Sequence, residues 1–104
     1  MSSIDAGPAD GVPVRGARVL KAGGIEIAVF RTGDGRLFAL RDRCPHREGP
    51  LSQGLVHGNC VTCPLHEWVI DLTTGEAVGP DEGRTDRFDV WEEGGRLRLR
   101  LPDE

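Results

Sequence analysis

The sequence predicts an all-β fold, a small antiparallel β sandwich or barrel whose loops build the functional site. Apolar residues alternate with polar ones over short stretches, which is the period of a half-buried strand. The chain has 15 Gly and 7 Pro, residues that favour turns between short strands. No stretch shows the apolar spacing of an amphipathic helix of normal length. A chain of 104 residues is expected to form one domain.

The clearest predicted strands form two hairpins. In the first, residues 24–31 alternate, a Gly-Asp-Gly turn occupies residues 33–35, and residues 36–41 return. In the second, a turn at residues 93–95 joins two alternating segments. The leucines after this turn are expected to face inward and the arginines outward. They are Leu97, Leu99 and Leu101, and Arg96, Arg98 and Arg100.

The segment between the two hairpins has a weaker pattern. Pro and Gly are too dense in residues 42–58 for a long element. Short strands are predicted at residues 60–62 and 68–71, with a turn at 73–75. A second long loop is predicted at residues 79–83. The middle of the chain should therefore consist of loops held by short strands.

The first residues and the charge limit the class of protein. Residues 1–13 are expected to form a flexible polar arm, and residues 14–104 the domain itself. The arm lacks the basic start and apolar run of a secretory signal, and no segment approaches the ~18 apolar residues of a membrane span. A net charge of -4 argues against nucleic-acid binding. Three cysteines do not suit a secreted disulfide scaffold, so a cytoplasmic protein with reduced thiols is expected.

Four side chains in two loops form the candidate metal site. Cys44 and His46 are separated by one residue, and Cys63 and His66 by two. Each pair lies in a Pro-containing loop after a predicted strand. Two such loops can meet at one end of a β sandwich and present four ligands to one metal site. No separate catalytic residue is predicted.

A structural zinc site is the alternative that the residues alone leave open. Two Cys and two His also suit tetrahedral zinc, but zinc modules usually pair Cys with Cys and His with His. Here each loop supplies one of each, which suits a cluster whose two irons have different ligands. The remaining candidates are His57, expected to be a turn residue, and Cys60, expected to be a small apolar strand residue.

The motif Cys44-x-His46 with Cys63-x-x-His66 resembles that of Rieske [2Fe–2S] proteins. The resemblance implies a Rieske-like fold with a loop-built cluster-binding subdomain and one Rieske-type cluster. It also implies that the two Cys bind the inner iron and the two His the outer, exposed iron. Histidine ligands raise the potential above that of four-Cys ferredoxins. Electron transfer would then be the role of the chain, as a redox component that is not an enzyme by itself.

Longer stretches resemble the small subunit of assimilatory NAD(P)H nitrite reductases. They are residues 37–47, 49–52, 61–66, 68–71 and 74–77. This resemblance implies a large partner with flavin, an iron–sulfur cluster and sirohaem, which reduces nitrite to ammonium. The chain itself has no Gly-x-Gly-x-x-Gly nucleotide loop. A stand-alone Rieske ferredoxin that feeds a ring-hydroxylating oxygenase remains an open alternative, with the same cluster and a different redox partner.

The resemblance also bears on the redox potential. In high-potential relatives, Ser and Tyr hydroxyls after the second ligand loop stabilise the reduced cluster. The corresponding positions here are Trp68 and Ile70, which carry no hydroxyl, and Glu67 adds a negative charge beside His66. Hydrogen bonds and charge set Rieske potentials within about -150 to +300 mV. A value on the order of -150 to 0 mV is therefore expected.

Overall fold

Antiparallel strands form two sheets in the computed structural model, which describes residues 2–43, 50–64, 68–79 and 83–101. The strands are β1 (Ser2–Pro8), β2 (Gly16–Ala22), β3 (Ile25–Arg31), β4 (Leu37–Arg41), β5 (Leu55–His57), β6 (Cys60–Thr62), β7 (Val69–Asp71), β8 (Arg87–Glu93) and β9 (Arg96–Leu101). The larger sheet has the order β1-β9-β8-β4-β3-β2 and the smaller β5-β6-β7. The predicted all-β fold is confirmed. No helix in the described ranges is long and apolar enough to cross a membrane.

The larger sheet curves into a half-barrel around one apolar cluster, which we call the barrel core. Its buried members are Ala6, Ala9, Val12, Ile27, Val29, Ala39, Phe88, Leu97 and Leu99. The β8–β9 hairpin shows the expected alternation, since Leu97 and Leu99 are fully buried whereas Arg96 and Arg100 are exposed. The turn between these strands is a Gly-Gly pair with positive φ at both residues, a conformation that glycine adopts without steric cost.

Strands β3 and β4 are buried on both faces. Their second face packs on the smaller sheet through a second cluster, which we call the site core. Its buried members are Ala28, Phe30, Leu40, Leu51, Val56, Val61, Cys63, Ile70 and Leu72. Four consecutive residues of β3, from Ile27 to Phe30, are therefore fully buried. The half-barrel thus provides a rigid support for the smaller sheet and the loops that leave it.

The first residues differ from the flexible arm expected over residues 1–13. Ser2–Pro8 is the edge strand β1, which pairs antiparallel with β9, and a short 3-10 helix follows at Ala9–Gly11. Ala9 and Val12 are buried in the barrel core. The Arg31 side chain donates hydrogen bonds to both of their carbonyl oxygens, at 2.7 and 2.9 Å. The ordered conformation of these first residues depends on the pairing of β1 with β9, which lies about 90 residues further along the chain. Local composition does not indicate such a pairing.

The β1–β9 contact makes a prediction about pH. The Arg96 guanidinium donates two hydrogen bonds to the Asp5 carboxylate, each 3.1 Å long. Together with a bond from the Gly7 backbone N–H, the Arg96 contact lowers the pKa of Asp5 below its ordinary value. A lowered pKa in the folded state contributes stability above the ordinary pKa, and that contribution is lost as the pH falls through the folded-state pKa. We expect Asp5→Asn to lower the free energy of unfolding slightly at pH 7, and this difference from the native chain should shrink as the pH falls through the lowered pKa of Asp5.

Urea unfolding of the two proteins at several pH values measures this difference. Asp10→Asn is the matched control, because it removes the same charge from a neighbouring exposed position. The assigned role of the Asp5 carboxylate would be contradicted if the difference in free energy of unfolding between Asp5→Asn and the native chain grew as the pH fell.

Candidate functional site

Of the four predicted ligands, the structure describes Cys63. Cys63 directly follows β6 and its side chain is fully buried in the site core. Cys44, His46 and His66 lie outside the described residues, so their joint coordination stays a prediction. What the structure does describe is the base of each ligand loop, where the chain leaves and re-enters the fold.

The second ligand loop is closed by a backbone hydrogen bond. The Cys63 N–H donates to the carbonyl oxygen of Trp68 at 2.7 Å. Trp68 is half-buried and packs against the site core, and β7 begins at the next residue. His66 therefore belongs to a short connection between β6 and β7 whose two ends are fixed by the sheet.

The first ligand loop is closed by a side chain. Asp42 follows β4, and Ser52 lies in a short 3-10 helix at Leu51–Gln53. The Asp42 carboxylate accepts hydrogen bonds from the Ser52 backbone N–H at 2.7 Å and from the Ser52 hydroxyl at 2.8 Å. Residues 43–51, which include Cys44 and His46, are thus joined at their base.

The bases of the two loops lie side by side. Leu51 and Cys63 are both fully buried in the site core. Gly54, just after the 3-10 helix, passes so close to β6 that a Cβ atom there would overlap the carbonyl oxygen of Thr62 and lie 3.0 Å from Val61 Cγ2. The end of the first loop and the start of the second therefore lie at the same end of β6.

This arrangement suits a metal cluster held between two loops. An anionic ligand in an apolar core is costly unless a cation neutralises it, and a metal ion bound at Cys63 would supply that charge. The full burial of Cys63 is compatible with the inner position expected for a thiolate-bound iron. The loop that carries His66 lies beyond Pro64, which is exposed. The change from buried Cys63 to exposed Pro64 is compatible with a cluster that has one inner and one outer iron.

Two residues beside the site have other roles. Cys60 is a half-buried residue of β6 that pairs with Asp71 of β7. Burial, and to a lesser extent the Asp71 carboxylate, raise the pKa of the Cys60 thiol, which leaves less of the reactive thiolate. His57 is the last residue of β5 rather than a turn residue, and its Nε2 lies 2.6 Å from Thr62 Oγ1. The three-residue strand that contains it is too short to show a period in the sequence.

The residues that close the first loop are not among the sequence-predicted site residues. Asp42 and Ser52 are ten positions apart and follow no helix or strand period. Two features of the sequence point to this pair. Asp42 lies two residues before Cys44, and Ser52 lies two residues after Pro50. Side chains of both types often hydrogen-bond to the backbone near loops. The need for glycine at position 54 could not be predicted from the sequence. The backbone atom that a side chain there would overlap belongs to β6, which begins six residues further along the chain.

Comparison with known proteins yields a family and several relatives. A family model described as the Rieske [2Fe-2S] domain matches residues 3–89. The anthranilate 1,2-dioxygenase ferredoxin subunit of Burkholderia cepacia is 54% identical over 54 residues, which cover 52% of this chain and 49% of that protein. The chain thus spans about half the length of this relative.

Solved structures with the same fold come from two kinds of redox system. One is from the complex of reduced oxygenase and oxidised ferredoxin in carbazole 1,9a-dioxygenase, with a TM-score of 0.82 and 25% identity over 93% of this chain and 100% of that one. The other is described as an NADH-dependent nitrite reductase small subunit from Mycobacterium tuberculosis, with a TM-score of 0.87 and 19% identity over 98% of this chain and 97% of that one. At 19% identity the second likeness concerns the fold alone.

Proposed function

This chain belongs to the Rieske [2Fe–2S] domain family, and on that premise we propose that it is the ferredoxin of an oxygenase system, which carries single electrons from a reductase to an oxygenase. Its cofactor is one Rieske-type [2Fe–2S] cluster rather than zinc. The observation that carries the proposal is the likeness in sequence to the ferredoxin subunit of anthranilate 1,2-dioxygenase. The chain would be a redox component of a cytoplasmic system and not an enzyme by itself.

A second candidate is the small subunit of an NAD(P)H-dependent nitrite reductase. The resemblance of residues 37–47 and 61–66 to that family favours it, and the two candidates share the cluster. They differ in the partner, which is an oxygenase in the first case and a large subunit with flavin, an iron–sulfur cluster and sirohaem in the second. The identity of the partner therefore decides between them.

In either system we propose that Cys44 and Cys63 hold the inner iron and that His46 and His66 hold the outer one. The cluster supplies one-electron chemistry when it is bound. Among the residues that the structure describes, those around Cys63 would help to hold this cluster in place. The site core keeps water away from Cys63, and the backbone bond between Cys63 and Trp68 fixes the ends of the second loop.

The partner can be tested by electron transfer. The reduced protein is mixed rapidly with an oxygenase of the same host, in the presence and absence of that oxygenase's substrate, and its reoxidation is followed by visible absorption. We expect the oxygenase to reoxidise this protein within the time that the oxygenase needs for one catalytic turnover. Reoxidation by a sirohaem reductase with nitrite, together with no reaction with any oxygenase of the host, would instead support the second candidate.

The redox potential gives an independent prediction. Trp68 and Ile70 stand where high-potential relatives have hydroxyl side chains, and neither residue carries a hydroxyl. Ile70 is fully buried in the site core and Trp68 packs against that core. Hydrogen bonds to the cluster sulfurs stabilise the more negative reduced state and raise the potential. We expect a midpoint on the order of -150 to 0 mV. Such a value suits electrons that come from NAD(P)H rather than from a quinol.

A redox titration followed by electron paramagnetic resonance measures this midpoint. Glu67→Gln should raise it modestly, because the variant removes a negative charge beside His66. A midpoint near the top of the Rieske range would mean that other donors or burial outweigh the missing hydroxyls.

A further inference from the structure

We infer that Asp42 and Ser52 form a latch that holds the first ligand loop closed and so keeps the cluster bound. The inference rests on the proposed cluster site, since the loop in question carries Cys44 and His46. Neither residue of the latch is a predicted ligand. Both are positioning residues, which would act through the loop between them.

The hydrogen bonds of the latch are short and use both oxygens of the carboxylate. Asp42 Oδ1 accepts the Ser52 backbone N–H at 2.7 Å, and Asp42 Oδ2 accepts the Ser52 hydroxyl at 2.8 Å. Both residues are half-buried. Hydrogen bonds to an ionised acceptor are stronger than neutral ones, and a bidentate arrangement also fixes the direction of approach. One side chain thus sets both the distance and the orientation of the two loop ends.

Each half of the latch is attached to a rigid part of the fold. On one side, the Asp42 N–H donates to the carbonyl oxygen of Glu26 at 2.9 Å, which extends the β3–β4 pairing by one step. On the other side, Ser52 follows Leu51, whose side chain is fully buried in the site core. The latch therefore connects the half-barrel to the segment that packs against β6, across the mouth of the loop.

The consequence is a specific role in cluster retention. A cluster leaves a protein when a ligand loop opens locally, and the rate follows the population of the open state. Without the latch, the two ends of residues 43–51 would lose their direct side-chain link, while the packing of Leu51 would still hold the second end in the site core. Loss of two charge-assisted hydrogen bonds should raise the open population by on the order of 10- to 100-fold.

The structure offers a matched control for this test. The Asp71 carboxylate accepts hydrogen bonds from the Thr73 backbone N–H at 2.8 Å and from the Thr73 hydroxyl at 2.6 Å. This pair also joins a carboxylate to a backbone N–H and a hydroxyl, although both bonds go to Oδ1 and are exposed. It lies at the end of β7 and in the turn that follows, outside both ligand loops. Variants of this pair thus show what the loss of a carboxylate–hydroxyl contact does elsewhere in the fold, and any further effect in the Asp42 and Ser52 variants comes from the latch.

The experiment measures release of iron from the cluster-loaded full chain into an excess of a ferrous chelator under reducing conditions. We expect Ser52→Ala to accelerate release several-fold and Asp42→Ala by on the order of 10- to 100-fold. The double variant should be no faster than Asp42→Ala, because the two residues act as one unit. Asp71→Ala and Thr73→Ala should stay within about twofold of the native rate.

Electron paramagnetic resonance of the same samples supplies the second readout. A loosened loop would alter how its ligands hold the cluster, so the signal of the latch variants should broaden or shift, whereas that of the Asp71 and Thr73 variants should not. Native release rates and spectra in Ser52→Ala and Asp42→Ala would overturn the latch. If Asp42→Ala does not fold, Ser52→Ala decides, since it removes one hydroxyl from a half-buried position. Absence of a Rieske signal in the native protein would instead overturn the proposed function.

Discussion

Cys63→Ser is expected to abolish the visible absorption of the protein. Cys63 is fully buried in the site core, so the replaced ligand cannot be supplied by water or by a nearby carboxylate without disrupting the packing. A serine hydroxyl ionises far less readily than a thiol and is a poor ligand for iron. The iron would then have an open position in an apolar environment, and the cluster would not assemble.

The other predicted ligands should behave in the same way. Cys44→Ser, His46→Ala and His66→Ala are each expected to remove the Rieske absorption and its paramagnetic resonance signal. Cys60→Ser is the control, because Cys60 lies on β6 beside the site and its thiol has a raised pKa. This variant should keep the full spectrum. A full Rieske signal from a chain that lacks His66 would disprove the ligand assignment.

Gly54→Ala is expected to destabilise the fold by about 1–3 kcal/mol, which is typical of overpacking at a site that cannot expand. The added Cβ would overlap the carbonyl oxygen of Thr62, a backbone atom of β6. Relief requires the 3-10 helix and β6 to separate, and this movement would also pull the two ligand loops apart. Lower cluster occupancy should therefore accompany the loss of stability.

Gly33→Ala is the control for this prediction. Gly33 also lacks a positive φ, and the nearest atom to its added Cβ is the Nε of Arg15 at 3.0 Å, near the end of a flexible side chain. Urea unfolding should show little change for Gly33→Ala and a clear loss for Gly54→Ala. Equal stability of the two variants would mean that the chain at Gly54 can move away from β6 at little cost.

Elements whose signal is local could be predicted from the amino-acid sequence alone. Alternation and glycine turns predicted the β3–β4 and β8–β9 hairpins, because both depend on residues close together in the chain. Ligand chemistry and spacing likewise predicted the type of site, since a Cys-x-His and a Cys-x-x-His pair combine thiolate and imidazole in each loop. The strand before Cys63 was also predictable, as β6 has the expected bounds Cys60–Thr62.

Features that join distant parts of the chain depend instead on how the strands and loops pack in three dimensions. Strand β1 forms because it pairs with the edge of β9. The residues of β1 are mostly small or polar, so the sequence pattern does not predict a strand there. Burial of β3 on both faces follows from the packing of the smaller sheet against the half-barrel. The bond from Asp42 to Ser52 and the approach of Gly54 to Thr62 depend on where two loops leave the fold. Such contacts are set by three-dimensional proximity, which a pattern read along the chain does not contain.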